Sequence, residues 1–384
     1  MTVDELLKLI PSNTFDDLAV ETKVDFQVKK LTGEIIFKLI LFTMLNSDRL
    51  SLRVMETFLA SAKFKSFSSQ EELNSKFNSI RDRICAINSD YFEQLFNTIF
   101  TTYNKALKEE KALSKADSTY VAIAANLISI GMLNGAASNG KKHVKYSVNL
   151  KGSLPCNVKV YTDQSYVSED LALGDLIDTT KQSEGSVVVF GRGLQSRKVL
   201  DNFSNKNKLF VGRGRPKTQI EVVSTSQIPA KPKGSSVTII TDETGLLLGG
   251  KRLKTSNPFR LIKAIIDNTE EKICFVTNLF DEDAYVIADI YKQRWEIEIF
   301  FKFIKQNLNV KHLVSHNING IKVMLYMTMI LAILILAYKK LNKIKGYKIA
   351  KLKFEIDLDN SIIREIVLLC GGNPDLAKHL WNSP

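Results

Sequence analysis

The run VMLYMTMILAILILAY, from Val323 to Tyr338, contains no charged residue, and whatever this chain folds into has to keep it out of water. Apolar surface removed from water contributes roughly 25 cal/mol per Å², and a helix that is greasy all round needs partners all round. The run falls short of the roughly 20 apolar residues that a bilayer demands. It therefore reads as a buried core helix, with no membrane association. The chain can wrap it: 384 residues, 45% hydrophobic and 24% charged, suffice for two or three structural units at about 100–200 residues each.

Lys and Arg number 53 against 41 Asp and Glu, a formal net charge of +12. The lysines are scattered along the whole length, so no tail explains the excess, and a polyanionic partner such as nucleic acid is expected. Cys85, Cys156, Cys274 and Cys370 lie far apart with no CxxC pairing. This excludes a zinc ribbon or a disulfide framework from the cysteines and fits a reducing cytoplasm. The first residues, MTVDELLKLIPSNTFDDL, are acidic early and lack a long apolar stretch, so no signal peptide is expected.

The chain divides by texture. Residues 1–112 read as all-helical: TGEIIFKLILFTMLNSD and DYFEQLFNTIFTTYNKALKEE have helical apolar spacing, and Ser69 with Glu72 reads as a capping box. Short helices with tight turns suit a small DNA-binding unit or a plain bundle. Residues 113–340 mix strands and helices. ADSTYVAIA, KKHVKYSVNLKG and CNVKVYTD read as strands, SEDLALGDLIDTT as a helix, SVVVF as a strand buried on both faces, and GRGLQSRKVLDNFS as the next helix. Residues 212–258 hold several prolines and glycines, short β runs and many basic residues, including GRGRPK, and read as a β-rich insertion. KICFVTN returns to the core as a strand, and residues 341–384 close the chain with helices at IDLDNSIIREIVLLCGG and PDLAKHLW. The pattern predicts an α/β fold, a mixed sheet with helices packed against it.

The stretch YKQRWEIEIFFKFIKQNL, residues 291 to 308, carries the chemistry. At about 100° per residue, Tyr291, Arg294, Glu298 and Lys305 fall within roughly 60° of one another on a helix. Trp295, Ile297, Ile299, Phe300, Phe301, Phe303, Ile304 and Leu308 cover the remaining circumference. The prediction is a helix buried on several sides with one charged stripe left open. Arg294 and Glu298 also form an i,i+4 pair, which by itself supports a helix by about 0.2–0.5 kcal/mol and implies nothing further. Asp117, at the start of the first strand and followed by Ser118 and Thr119, is a second carboxylate of interest.

The spacing Y-x2-R-x3-E-x6-K, with flanking IADIYKQRW and FFKFIKQNL and upstream FVTNL, resembles the Tyr-Arg-Glu-Lys motif of bacterial insertion-sequence DDE transposases. ADST is similar to their first catalytic block, VVVFGRGLQS to their second, and LTGEIIFKLILFTMLNSDRLSLRVME to their N-terminal region. The resemblance implies an RNase H-like core with a β-rich insertion before the third acid. It implies two divalent ions, Mg²⁺ or Mn²⁺, that activate water and then a 3′-OH for DNA cleavage and strand transfer. It makes Asp117 the first acid and Glu298 the third, both metal ligands, and puts Tyr291, Arg294, Lys305 and Arg192 on DNA. It also implies double-stranded DNA partners, the terminal inverted repeats and a target, and a homodimer in a synaptic complex.

One position departs from that pattern. The strand equivalent to SVVVF should end in Asp-Arg-Gly, and here the string is Gly191, Arg192, Gly193. Glycine has no side chain to ligate an ion, so the second catalytic position is empty of a carboxylate and catalysis is expected to suffer. Asp163, Glu184 and Asp201 are the nearest candidates to substitute for it. Asp163 reads as a turn cap and Asp201 as facing outward on a helix. Two readings stay open on the sequence: an active metal-dependent strand transferase, and a catalytically silent DNA-binding relative.

Overall fold

The computed structural model describes residues 1–70, 72–108, 113–122, 130–133, 142–181, 183–250, 253–308, 314–315 and 317–377. The chain opens with seven helices: α1 (Val3–Leu7), α2 (Thr14–Thr22), α3 (Gly33–Asn46), α4 (Leu52–Leu59), α5 (Ala62–Ser68), α6 (Phe77–Ala86) and α7 (Ser89–Ala106). Their starts follow from side-chain caps: Thr32, Ser51 and Ser61 accept the backbone N–H three residues on, which relieves one of the free donors of each first turn. The capping box expected at Ser69 and Glu72 does not form. Ser69 instead ends α5 in the left-handed region at φ 56°. The next helix, α6, starts at Phe77, whose N–H is accepted by Glu56 of α4 at 3.0 Å. A cap supplied by another helix leaves no local signature.

A continuous sheet follows. Its strands are β1 (Leu113–Ala122), β2 (Met132–Leu133), β3 (Lys142–Lys151), β4 (Leu154–Tyr161), β5 (Val187–Phe190), β6 (Leu209–Arg213), β7 (Ile220–Thr225), β8 (Val237–Leu247), β9 (Phe259–Ile266) and β10 (Lys272–Thr277). β4 pairs antiparallel with β3, β3 antiparallel with β1, β1 parallel with β5, and β5 parallel with β6. The order β4-β3-β1-β5-β6, three antiparallel strands joined to two parallel ones, is that of an RNase H-like core. Helices α8 (Glu169–Thr179) and α9 (Arg197–Asn205) supply the crossovers. β10, β9, β8 and β7 extend the same sheet beyond β6, so the β-rich stretch is an outward continuation of the sheet.

Alternation along β5 explains why a four-residue strand is so apolar. Val188 and Phe190 pack with Leu173, Leu176 and Leu200 of α8 and α9. Val189 points the other way, toward Ala284 and Ile287 of α10 (Ala284–Lys292). Both faces of this part of the sheet are covered by helices, as parallel strands require. The uncharged run from Val323 to Tyr338 lies in α12 (Ile318–Leu341). At 24 residues this helix is long and apolar enough to cross a membrane, and 94% of its most apolar window is buried inside the protein. It packs against α3, α6, α7, β4 and α13 (Tyr347–Leu369), in one core shared with the N-terminal helices and with Tyr146, Val148 and Leu150 of β3. The closing segment differs from expectation: IDLDNSIIREIVLL is the second part of α13, and of PDLAKHLW the described residues Pro374–Ala377 form a single 3₁₀ turn.

One buried ion pair ties the sheet extension to the site. Arg260 of β9 binds Asp242 of β8 through Nε at 2.8 Å and Nη2 at 2.5 Å, and its Nη1 donates to the carbonyls of Leu279 and Glu282 just before α10. Both side chains are almost fully buried. Removing one partner of such a pair strands a charge in the interior. Asp242→Ala should therefore lower unfolding free energy by about 3–5 kcal/mol, read as a fall in the denaturant midpoint.

Candidate active site

The parallel register of β1 and β5 ends with Ala116 opposite Phe190. The next residues along the two strands, Asp117 and Gly191, are therefore neighbours where the strands diverge. Asp117 lies opposite Val148 of β3 on its other side, so pairing with β3 continues to hold its backbone past the last β5 partner. Ser118 donates its backbone N–H to Asp117 Oδ1 at 2.8 Å.

The motif stretch reaches this point from the helical side, but not as one helix. α10 ends at Lys292 and α11 runs Trp295–Asn307. Between them the chain tightens, with Arg294 N–H bonded to Tyr291 O and Ile297 N–H to Arg294 O, each three residues back. Such a 3₁₀-type turn advances about 120° per residue, so Tyr291 and Arg294 still align. Trp295, expected among the buried residues, is 61% exposed, because the turn rotates it to the outside. Ile297, Phe300, Phe301, Phe303, Ile304 and Leu308 are buried as expected.

Arg294 is the hub. Its Nη1 donates to Asp117 Oδ2 at 3.1 Å, its Nη2 to Glu298, and its Nε to the Tyr291 hydroxyl at 3.1 Å. Burial opposes the guanidinium charge, yet Tyr291, Glu298 and Asp117 together raise its pKa above the ordinary arginine value. Asp117 is shifted upward, chiefly by burial and further by Glu169 and Glu298, against the pull of the Ser118 N–H and Arg294. Lys305 stands half-buried on the last turn of α11, on the face of Glu298 and about 10 Å along the axis at 1.5 Å per residue. Arg192 is exposed beside Gly191.

The loop after β5 is held by α8. Asp170 Oδ1 accepts the N–H groups of Gln195 and Ser196 at 2.5 and 2.6 Å, and Glu169 packs against Gly193. A Cβ at Gly193 would lie 2.7 Å from Glu169 Cγ, whereas one at Gly191 meets only Arg294 Nη1, at 3.8 Å. Glu169 binds Lys145 at 3.1 Å and keeps a buried Oε2 without a partner. Buried Lys115, two residues before Asp117, binds Glu296 Oε2 at 2.8 Å and the Gly152 carbonyl at 3.0 Å, fastening β1 to α11. Sequence pattern alone does not single out Glu169, Asp170, Lys115 or Lys145. A lysine inside a strand is the one local signal that points to two of them.

None of the substitute acids reaches the gap. Asp163 caps the 3₁₀ turn Gln164–Val167 by accepting Ser165 N–H. Glu184 precedes β5, at the opposite end from Gly191. Asp201 does not face outward; it accepts the N–H groups of Ser256 and Asn257 and clamps that loop to α9. Among the described residues no three His, Cys, Asp or Glu side chains converge as a metal would require. Hard divalent cations take several oxygen ligands, and here Asp117 and Glu298 are both paired to Arg294 while Glu169 is paired through Oε1 to Lys145 and keeps only Oε2 unpartnered. As they stand, the described residues do not fit a two-ion set.

Residues 134–335 match the family model described as the transposase DDE domain. The chain belongs to the DDE transposases. The match takes in Gly191, Tyr291, Arg294, Glu298 and Lys305, and Asp117 precedes it. This transposase chain is similar to the probable transposase for insertion sequence element IS5377 of Geobacillus stearothermophilus, at 30% identity over 250 residues, 64% of this chain and 63% of that one. It is also similar to the putative transposase for insertion sequence element IS4SA of Synechocystis, at 26% identity over 266 residues, 66% of this chain and 69% of that one. Among solved structures, the cryo-EM structure of the piggyBac transposase synaptic complex with hairpin DNA aligns with 95% of this chain and 82% of that one, at 12% identity and a TM-score of 0.49. The chain thus spans less than two thirds of the Geobacillus relative.

The two glycines of the loop should respond in opposite ways. Gly191→Ala enters ordinary contact and should leave the thermal midpoint nearly unchanged. Gly193→Ala forces Glu169 aside and should cost about 1–3 kcal/mol of overpacking. Equal midpoints for the two variants would contradict this geometry.

Proposed function

We propose that this insertion-sequence transposase binds the ends of its own element as double-stranded DNA and that Gly191 leaves it catalytically silent. One observation carries the reading: Gly191 stands beside Asp117, Arg294 and Glu298 and contributes no carboxylate there. Phosphate contacts orient a protein on a duplex, and Arg294, Tyr291, Lys305 and Arg192 are the groups proposed to make them at the terminal inverted repeats. Arg294 then has two roles, holding the two carboxylates when DNA is absent and offering its charge to a phosphate when the end arrives. The helices α1–α7 are proposed to add DNA contacts, and two copies to hold two ends, in the cytoplasm of a bacterial cell.

A site of this kind that carried three carboxylates would hold divalent ions, which would supply the nucleophile and stabilise the developing charge. Asp117 and Glu298 are the residues of this chain that would take part. An aspartate at 191 has room for its Cβ, and its carboxylate would compete for Arg294. The reading makes the chain a decayed copy or an inhibitor of active siblings through mixed dimers.

The test is excision in cells of a marked element bounded by the gene's own flanking DNA, comparing the chain as it stands with Gly191→Asp. Excision by the Gly191→Asp protein alone is the expected result. Excision by the unaltered chain would overturn the claim of silence and require another group to replace the missing acid. A gel-shift assay with the same flanking duplex checks the binding half: the unaltered chain should shift it, and Arg294→Ala should weaken the shift about ten-fold or more, as loss of a charge-assisted contact of roughly 1.5–3 kcal/mol predicts.

A further inference from the structure

Lysines are scattered through the sequence, but the fold gathers a set of them beside the site. The connection between α12 and α13 reads YKKLNKIKGYK, and its Lys340, Lys343, Lys345 and Lys348 are exposed. Two hollows open there, one on each side of Tyr347. The first, about 460 Å³, is lined by Lys339, Lys340 and Lys343 with Gly152 and Ser153. The second, about 590 Å³, is lined by Lys302, Lys348 and Trp295 and reaches Glu298. Tyr347 forms the wall between them, stacked on Phe303 at 4.9 Å, with the Lys339 ammonium 5.2 Å from its ring centroid. The two hollows share Tyr347 and together make a lysine-lined trough interrupted by its ring, with Glu298 at one end and the last turn of α12 at the other.

The charge in that trough is unbalanced. Glu298 is paired with Arg294 and Glu296 with buried Lys115. Lys302, Lys343 and Lys348 make no ion pair with any described residue, whereas Lys351, one turn further along α13, is paired with Glu355 at 2.9 Å. Exposed ammonium groups lining a groove, with exposed aromatic surface between them, attract a phosphodiester backbone.

We propose that this lysine trough binds the phosphate backbone of the duplex that continues past the bound end. The inference rests on the DNA-binding reading above and adds to it a second surface, separate from Tyr291, Arg294, Lys305 and Arg192. Were the trough idle, the site alone would grip the duplex at its end, and salt dependence distinguishes the two arrangements. Lys302→Gln, Lys343→Gln and Lys348→Gln combined remove three charges that line the two hollows without touching Asp117, Arg294 or Glu298. The comparison variant, Lys198→Gln, Lys233→Gln and Lys272→Gln, removes three exposed charges elsewhere on the surface.

Affinity is measured from about 50 to 200 mM salt for a duplex carrying the gene's flanking DNA and for an unrelated duplex of equal length. With three phosphates no longer neutralised, the slope of log K against log salt should become shallower by about 2.7, from roughly 0.9 per phosphate, and binding at low salt should fall about ten-fold or more. The comparison variant should retain the full slope. Weakening on both duplexes assigns the trough to DNA of any sequence, and weakening on the flanking duplex alone assigns it to the element's end; both support the proposal. An unchanged slope in the trough variant, with the unaltered chain binding normally, overturns it. Failure of the unaltered chain to bind either duplex would overturn the DNA-binding reading itself, and the trough with it.

Discussion

Three separate parts of the chain meet on the Arg294 guanidinium. β1 contributes Asp117, α10 the Tyr291 hydroxyl and α11 Glu298. Without a cation at that point, two carboxylates would face each other in a partly buried cleft, and like charges in low dielectric repel strongly. The pairing is what lets the helical half of the site close onto the end of β1. Lys115 to Glu296 repeats the arrangement two residues earlier on the same strand, so α11 is fastened to β1 at two points.

The scaffold positions Gly191 as firmly as it positions Asp117 and Glu298. Parallel pairing of β1 with β5 sets Gly191 next to Asp117. Asp170 and Glu169 at the start of α8 hold the loop that follows, and Arg260 holds the entry to α10. A loop pinned from two sides changes little when one side chain changes. Asp117, Arg294 and Glu298 are therefore held in a fixed framework around Gly191.

Much of this is legible in the sequence because it is periodic or local. The alternation and apolarity of β1, β3 and β5, the spacing of Tyr291, Arg294 and Glu298, and the burial of residues 323 to 338 all follow from short-range pattern. What the sequence hides depends on partners far away in the chain. Ser69 resembles a cap, but Glu56, from another helix, takes the N–H of Phe77. Asp201 reads as outward-facing because nothing nearby announces Ser256 and Asn257. Lys115 and Lys145 resemble solvated strand residues, and each is fully buried against a glutamate. The exposure of Trp295 is hidden for a different reason: a uniform 100° step misses a tight turn.

That turn has a bearing on how such a chain can drift over generations. Between Tyr291 and Glu298 the backbone passes from one helix axis to another, and the angular phase of everything downstream is set by how many residues occupy the joint. A residue gained or lost there would swing the start of α11 by about 100°, carrying Glu298 off Arg294 and turning a core isoleucine such as Ile297 toward the cleft. Side chains along this stretch can be exchanged one at a time while its length is locked. A substitution leaves the shell recognisable, whereas an insertion or deletion at the joint would dismantle it in a single step.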